Sequence, residues 1–360
     1  MKLFNCFLLL ALLTACAERV QISEANGAES MTRRVIQHDG IEREYFVHVP
    51  VGAGPAAPLV VAIHGYTSTA TGFEAAHNLN PHADANNYVV AYPQGSHFTA
   101  DTTNGTGYRV TSWNDLAANL EPGSDGPHCV DDSTQYPCPP ECGSCSRCAW
   151  TSCYDDVGFV EKMLDEVVAE FRTDPARTYL LGVSNGGMMA LRLGCNLPER
   201  FAAIAPIIGQ LAPGYACGPT HDVPLLHLFG GQDDTVRFDG KPGGDGFIYA
   251  TAEKTAKVWA DALACDVGPT TWENEFSRAV GVSCAAFTHC RNDHHKVVSC
   301  LDPDGGHDWP GQRVQSIPAT CVTPVQYDSM PGQSYCPDST DESVHAGMDL
   351  VWNFFRQYSK

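Results

Sequence analysis

Leu180-Leu181-Gly182-Val183-Ser184-Asn185-Gly186-Gly187 joins an apolar run, Tyr179 to Leu181, to a segment from Met188 to Leu193 with helical character. The order is buried strand, turn carrying a serine in a G-x-S-x-G frame, then helix, which is the pattern of a nucleophile elbow. Such a turn has to be sharp enough to push the serine oxygen clear of the backbone. Gly182 and Gly186 are therefore expected where strand and helix converge and no side chain fits. The helix N-terminus behind the oxygen would favour developing negative charge. A second near-match, Gly281-Val282-Ser283-Cys284-Ala285, is expected to have no strand and helix around it.

Around this stretch, apolar runs alternate with helical patterns. Arg34 to Ile36 and Tyr45 to Val49 read as strands about the turn Asp39-Gly40. Leu59 to Ile63 is a continuous apolar run of the kind buried on both faces of a parallel sheet. Phe73 to Asn86 reads as one helix, Tyr88 to Tyr92 as a strand, and Gln94 to Trp113 as a polar, glycine-rich excursion ending at Trp113-Asn114-Asp115. Val160, Met163, Leu164, Val167, Val168 and Phe171 form one stripe of a helix from Val157 to Phe171, which Asp155 or Asp156 can cap. Phe201 to Ile208, Leu225 to Phe229 and Lys296 to Leu301 read as later strands. Phe247 to Ala264 and Val344 to Tyr358 read as helices. The expected fold is α/β, a mostly parallel sheet with helices on both faces.

The chain has 360 residues, 43% of them hydrophobic, enough for one large domain. A net charge of −20 argues against nucleic acid or an anionic membrane surface as the main partner. Lys2 and the apolar run Leu3 to Leu13 read as an export leader, too short to span a bilayer as a stable helix. Leu13-Thr14-Ala15-Cys16 resembles a bacterial lipobox, which makes Cys16 the expected lipidation site. An ordinary signal peptide cut near Ala15 or Ala17 is the alternative. By resemblance to the sorting pattern, Ala17 points to an outer-membrane anchor. The expected organisation is a signal peptide over 1–15, a tether over 16–32 and a catalytic domain over 33–360 with a cysteine-rich insertion at 119–153. Of 16 cysteines, loss of Cys6 with the leader and lipidation of Cys16 leave 14, an even number suited to a disulfide framework. The spacing from Cys138 to Cys148 superficially resembles a zinc knuckle, but in an oxidising compartment disulfides are expected there and no metal. Cys195 with Cys217 and Cys321 with Cys336 are expected pairs, by proximity along the chain.

A serine hydroxyl needs a base to take its proton. In the elbow architecture an acid and then a histidine follow the serine on loops after later strands. The acid lies in Gln232-Asp233-Asp234, where both aspartates are candidates, and the base is expected at His307 in Gly305-Gly306-His307-Asp308-Trp309. An oxyanion hole needs two converging donors. One is the backbone N–H of Asn185. The other comes from the loop after Leu59 to Ile63, with Tyr66 preferred and its neighbour Thr67 the alternative. Trp113, Trp309 and Tyr66 are candidates to line a substrate pocket, against plain core packing for the tryptophans.

With these residues in hand, the sequence resembles the secreted polyhydroxybutyrate depolymerase and feruloyl esterase group of α/β-hydrolases, of the carbohydrate esterase family 1 type. The matching pieces are Pro58 to Gly65, Trp113-Asn114-Asp115, Asp155 to Phe159, Gly182 to Gly187, Phe201 to Pro206, Asp233 with Val236, and Gly306 to Gly311. The resemblance implies an α/β-hydrolase fold with Ser184, Asp233 and His307 as the triad, and favours Asp233 over Asp234. It implies an extracytoplasmic serine esterase without cofactor, acting on a hydroxyalkanoate ester, with a feruloylated polysaccharide as the alternative substrate. A non-enzymatic surface lipoprotein that binds a partner is the rival class. The stretch Cys129 to Cys148 and much of Thr320 to Asp341 depart from the family pattern, which bears on substrate preference more than on chemistry.

Overall fold

The structure, a computed structural model, describes residues 31–101, 107–115, 126–145, 151–215, 222–312, 317–337 and 343–360. Cys6, Cys16, Cys148 and Cys217, and with them the lipidation site and one half of an expected disulfide, lie outside the described residues.

Twelve strands and eight α-helices follow in the order β1 (Met31–His38), β2 (Ile41–His48), β3 (Leu59–Ile63), α1 (Ala70–His77), α2 (Leu79–Asn86), β4 (Val89–Pro93), β5 (Ser96–Asp101), β6 (Gly107–Ser112), α3 (Asp156–Phe171), β7 (Thr178–Val183), α4 (Asn185–Asn196), β8 (Ala203–Ile207), β9 (Leu225–Gly230), α5 (Ala252–Ala262), β10 (Val267–Trp272), α6 (Glu275–Val280), β11 (Ser283–Thr288), β12 (Val297–Asp302), α7 (Pro324–Tyr327) and α8 (Ser343–Phe355), counted among the described residues. Ten strands form one sheet in the order β1-β2-β4-β3-β7-β8-β9-β12-β11-β10. Its middle, β4 to β12, is parallel, and an antiparallel pair flanks it at each edge.

The apolar runs account for this layering. In β3, Val60 and Ala62 enter one core while Leu59, Val61 and Ile63 enter the other, so both faces of the strand are buried. Phe73, Leu79 and the α8 residues Met348, Val351 and Phe355 cover the first face. Phe159, Val160, Met163, Leu164 and Val167 of α3, with Leu193 of α4 and Trp259 of α5, cover the second. The stripe read from Val160 to Val167 is thus the packed side of α3. Asp155 is its cap, accepting from the Gly158 N–H, while Asp156 turns inward and pairs with Arg43 at 2.6 Å.

Several expectations are corrected. The helix read over Phe73 to Asn86 is two helices, broken where Asn78 takes a left-handed conformation at φ 50°. The helix read from Phe247 begins only at Ala252, because Phe247 pairs as a bridge with Cys129 of the insertion. The excursion from Gln94 contains the β5–β6 hairpin. Gly281 to Ala285 does have a helix and a strand beside it. They come in the order α6 then β11, the reverse of an elbow. β10 went unread because its residues are mostly exposed at a sheet edge and include Gly268-Pro269.

Disulfides join Cys138 to Cys145, Cys142 to Cys153, Cys265 to Cys290, Cys284 to Cys300 and Cys321 to Cys336. The first two staple the insertion, where a zinc knuckle was the other reading, and the last closes the expected loop. Cys129 and Cys195 are also disulfide-bonded.

Candidate active site

Ser184 sits between β7 and α4 at φ 56° and ψ −122°, a conformation that side-chain-bearing residues rarely adopt. The glycines around it answer to close backbone approach. A Cβ at Gly186 would lie 2.3 Å from Ile63 O and 2.4 Å from His64 O, and one at Gly182 would lie 2.0 Å from Gly186 O. The strained turn is pinned by Ser184 N–H donating to Ile207 O at 2.9 Å and by Met188 N–H donating to Ser184 O at 2.9 Å.

The acid and base loops leave the neighbouring parallel strands β9 and β12. They are laced together: Gly231 N–H donates to Asp302 O and Gln232 N–H to Gly305 O, both at 2.8 Å. A Cβ at Gly230 would lie 2.2 Å from Gly306 O, so the two loops could not close this far over a larger residue. The outcome is a relay. His307 Nε2 lies 2.9 Å from Ser184 Oγ, and His307 Nδ1 lies 2.8 Å from Asp233 Oδ2. Asp233 Oδ1 accepts the N–H groups of Thr235 and Val236, each at 2.8 Å, and the carboxylate is buried. Asp234, the rival acid, has a side chain 77% exposed and faces Arg237.

A neutral imidazole with its proton on Nδ1 would donate to Asp233 and accept from the serine hydroxyl. It can therefore draw the serine proton while the carboxylate holds the ring.

The loop after β3 lies against the elbow. A Cβ on Gly65 would come within 3.4 Å of Ser184 Cβ. Of the two alternative donors there, Thr67 N–H is engaged within the fold by Thr111 O at 2.8 Å. Tyr66 precedes it, and Asn185 is the first residue of α4, where helical N–H groups have no partner inside the helix. His64 buttresses this loop. Its Nδ1 meets Gly65 O at 2.7 Å, and its Nε2 accepts Gly95 N–H at 2.9 Å, so the ring is neutral; burial pulls its pKa down to about 4.

Sequence reasoning missed who stands behind His64. Gln94 Nε2 reaches His64 Nε2 at 3.1 Å, and Gln94 Oε1 accepts from Gln326 Nε2 at 2.6 Å. Gln326 belongs to α7, inside the segment that departs from the family pattern, and it is fully buried. The tryptophans are a second correction. Trp113 is 0% exposed, its Nε1–H donating to His64 O at 2.9 Å. Trp309 is 1% exposed and stacks on His77 with centroids 4.7 Å apart. Neither ring offers a face to a substrate; both are core. The partly exposed aromatic rings near the loop after β3 are instead Tyr66 and Tyr136, edge-on at 5.4 Å, with the buried Phe247 backing Tyr136 edge-on at 5.5 Å. Tyr136 comes from the insertion, and its O–H donates to Asp245 at 3.0 Å.

The chain is similar to known esterases. No family model matches the chain. It is 28% identical over 318 residues to NocK, a candidate esterase of Nocardia uniformis subsp. tsuyamanensis, covering 84% of this chain and 79% of that one. It is 25% identical to feruloyl esterase B of Piromyces equi over 74% of this chain. It is 26% identical to poly(3-hydroxyalkanoate) depolymerase C of Paucimonas lemoignei over 64% of it. The chain spans 42% and 46% of the lengths of those two relatives. Among solved structures, an acetyl xylan esterase from Aspergillus awamori aligns with a TM-score of 0.49 at 14% identity, over 78% of this chain and 95% of that one. The relatives are esterases, and they include a poly(3-hydroxyalkanoate) depolymerase and feruloyl esterases, the kinds of enzyme the sequence resembles.

Proposed function

We propose that the chain, whose relatives are carboxylic ester hydrolases, is an exported serine esterase working through an acyl-enzyme on Ser184. The observation that carries this is the unbroken relay from Ser184 through His307 to Asp233, at 2.9 and 2.8 Å. In the first step Ser184 Oγ attacks the ester carbonyl as His307 Nε2 takes its proton. The N–H groups of Asn185 and Tyr66 receive the oxyanion, and His307 returns the proton to the leaving alcohol. Water then repeats the sequence on the acyl-enzyme. Asp233 keeps its charge throughout and steadies the imidazolium. No cofactor enters this scheme.

The test is hydrolysis of a p-nitrophenyl ester by the purified mature protein, together with labelling by a fluorophosphonate probe. Ser184→Ala is expected to abolish labelling and cut turnover by roughly 10⁴-fold or more. An unlabelled wild-type protein would point instead to a binding module.

The proposed substrate is a hydroxyalkanoate ester. The partly exposed Tyr66–Tyr136 pair favours one other reading, a feruloyl ester, whose flat ring suits aromatic faces. Rates on 3-hydroxybutyrate oligomers against methyl ferulate separate the two. Lipidation at Cys16 and an outer-membrane anchor belong to the same proposal. Metabolic labelling with palmitate, lost in Cys16→Ala, checks them.

A further inference from the structure

We infer that Asp115 is a positioning residue for ester hydrolysis: through the side chain of Asn185 it aims the backbone N–H that receives the oxyanion. The inference rests on the hydrolase reading above and adds a residue that the relay does not contain.

The Asn185 side chain is committed to protein partners through both its amide oxygen and its amide nitrogen, not to substrate. Its amide is held on both ends. Oδ1 accepts the Trp113 N–H at 2.9 Å and the Ser112 hydroxyl at 3.3 Å. Nδ2 donates to Asp115 Oδ2 at 2.8 Å and to Trp113 O at 3.3 Å. Flipping the amide would set its NH2 against an N–H and its oxygen against a carboxylate, so one orientation is fixed. The loop that holds it is anchored in turn. Trp113 donates to His64 O at 2.9 Å, and Asn114 N–H donates to Asp156 Oδ2 at 2.7 Å. Asp156 is paired with Arg43 and both are buried.

The geometry therefore ties the first residue of α4 to a rigid loop some 70 residues away in sequence. A donor pays off in catalysis only when aimed at the place where charge develops, and small misplacements weaken it steeply. The Asp115 carboxylate, 4% exposed, is the strongest acceptor in that tie.

The experiment compares Asp115→Ala and Asp115→Asn with wild type on matched oxoester and thionoester substrates. Sulfur accepts hydrogen bonds poorly, so the oxo-to-thiono ratio of kcat/KM reports the oxyanion donors rather than general folding. Asp115→Ala is expected to lower kcat on the oxoester roughly 10- to 100-fold with KM little changed, and to collapse the ratio. Asp115→Asn, whose amide oxygen can still accept, is expected to retain most of both. A folded Asp115→Ala protein with an unchanged ratio overturns the inference. Should Asp115→Ala fail to fold, Asn185→Asp sets two carboxylates face to face, and adding Asp115→Asn restores a donor between them. Recovery of the ratio in that double variant supports the inference, and no recovery overturns it. A wild-type protein that neither hydrolyses esters nor labels with fluorophosphonate would sink the hydrolase reading itself, a separate outcome.

Discussion

Asp233 and Asp234 are adjacent, chemically identical and opposite in fate. One is buried and holds His307; the other is largely exposed against Arg237. Asp233→Asn is expected to lower kcat/KM by roughly 10⁴-fold, since the amide no longer fixes the imidazole tautomer, while Asp234→Asn leaves it near wild type. Steady-state kinetics on one activated ester checks both. A different carboxylate carries a pH signature. Burial pushes Glu74 up to about 7, against an opposing hydrogen bond from the backbone of Asn80. Folding thus favours its protonated form. The stability is full below the ordinary carboxylate pKa and falls as pH rises through about 7. Glu74→Gln is expected to raise the thermal midpoint above pH 7, by the equivalent of on the order of 3 kcal/mol, and to change little near pH 4. Melting curves across pH 4–9 read this directly. Ser184 and His307 were legible from their own few neighbours, whereas Asp233 was set apart from Asp234 only by the resemblance to the family pattern. The burial of Trp113 and Trp309 was not legible, because it is decided by His64, His77 and other distant partners.

At the scale of elements, β3 and β7 were readable as short continuous apolar runs and α3 as a periodic apolar stripe. What escaped were elements whose reason for existing is tertiary. The α7 helix is four residues long, and its importance lies in one side chain. Gln326 donates to Gln94 and Glu44 and accepts from Thr71 N–H and Oγ1. Gln326→Leu would strip the Thr71 N–H and hydroxyl of their buried acceptor, while Gln94 Oε1 keeps the Ala70 N–H and Glu44 keeps the Ser329 hydroxyl. It is expected to cost a few kcal/mol, at about 1–3 kcal/mol per orphaned group. The observable is a lower thermal midpoint together with lower esterase turnover, because His64 is the next link after Gln94. The insertion offers a different handle. Tyr136→Ala removes the ring packed on Tyr66 and is expected to alter the ratio of rates on methyl ferulate and 3-hydroxybutyrate oligomers while leaving fluorophosphonate labelling of Ser184 intact.

For the whole molecule, residues 31–360 form one compact unit, and no described helix is long and apolar enough to cross a membrane. The five described disulfides tie residues no more than 25 positions apart, such as Cys284 and Cys300, cross-strand partners on β11 and β12. The double variant Cys284→Ala, Cys300→Ala is expected to lose about 3 kcal/mol by loop-closure entropy, read as a lower melting midpoint without loss of the relay. The polar clamp behind the β3 loop works over a very different span. Thr71 meets Gln326 across 255 positions of the chain. Contacts of such separation form late and slowly when a polypeptide folds. A ribosome or export channel still holding the last fifty residues would therefore present a sheet whose reactive serine exists but whose donor loop has no backing. Competence to cleave esters thus arrives with the tail, which brings both that backing and α8, the cover of one face of the sheet.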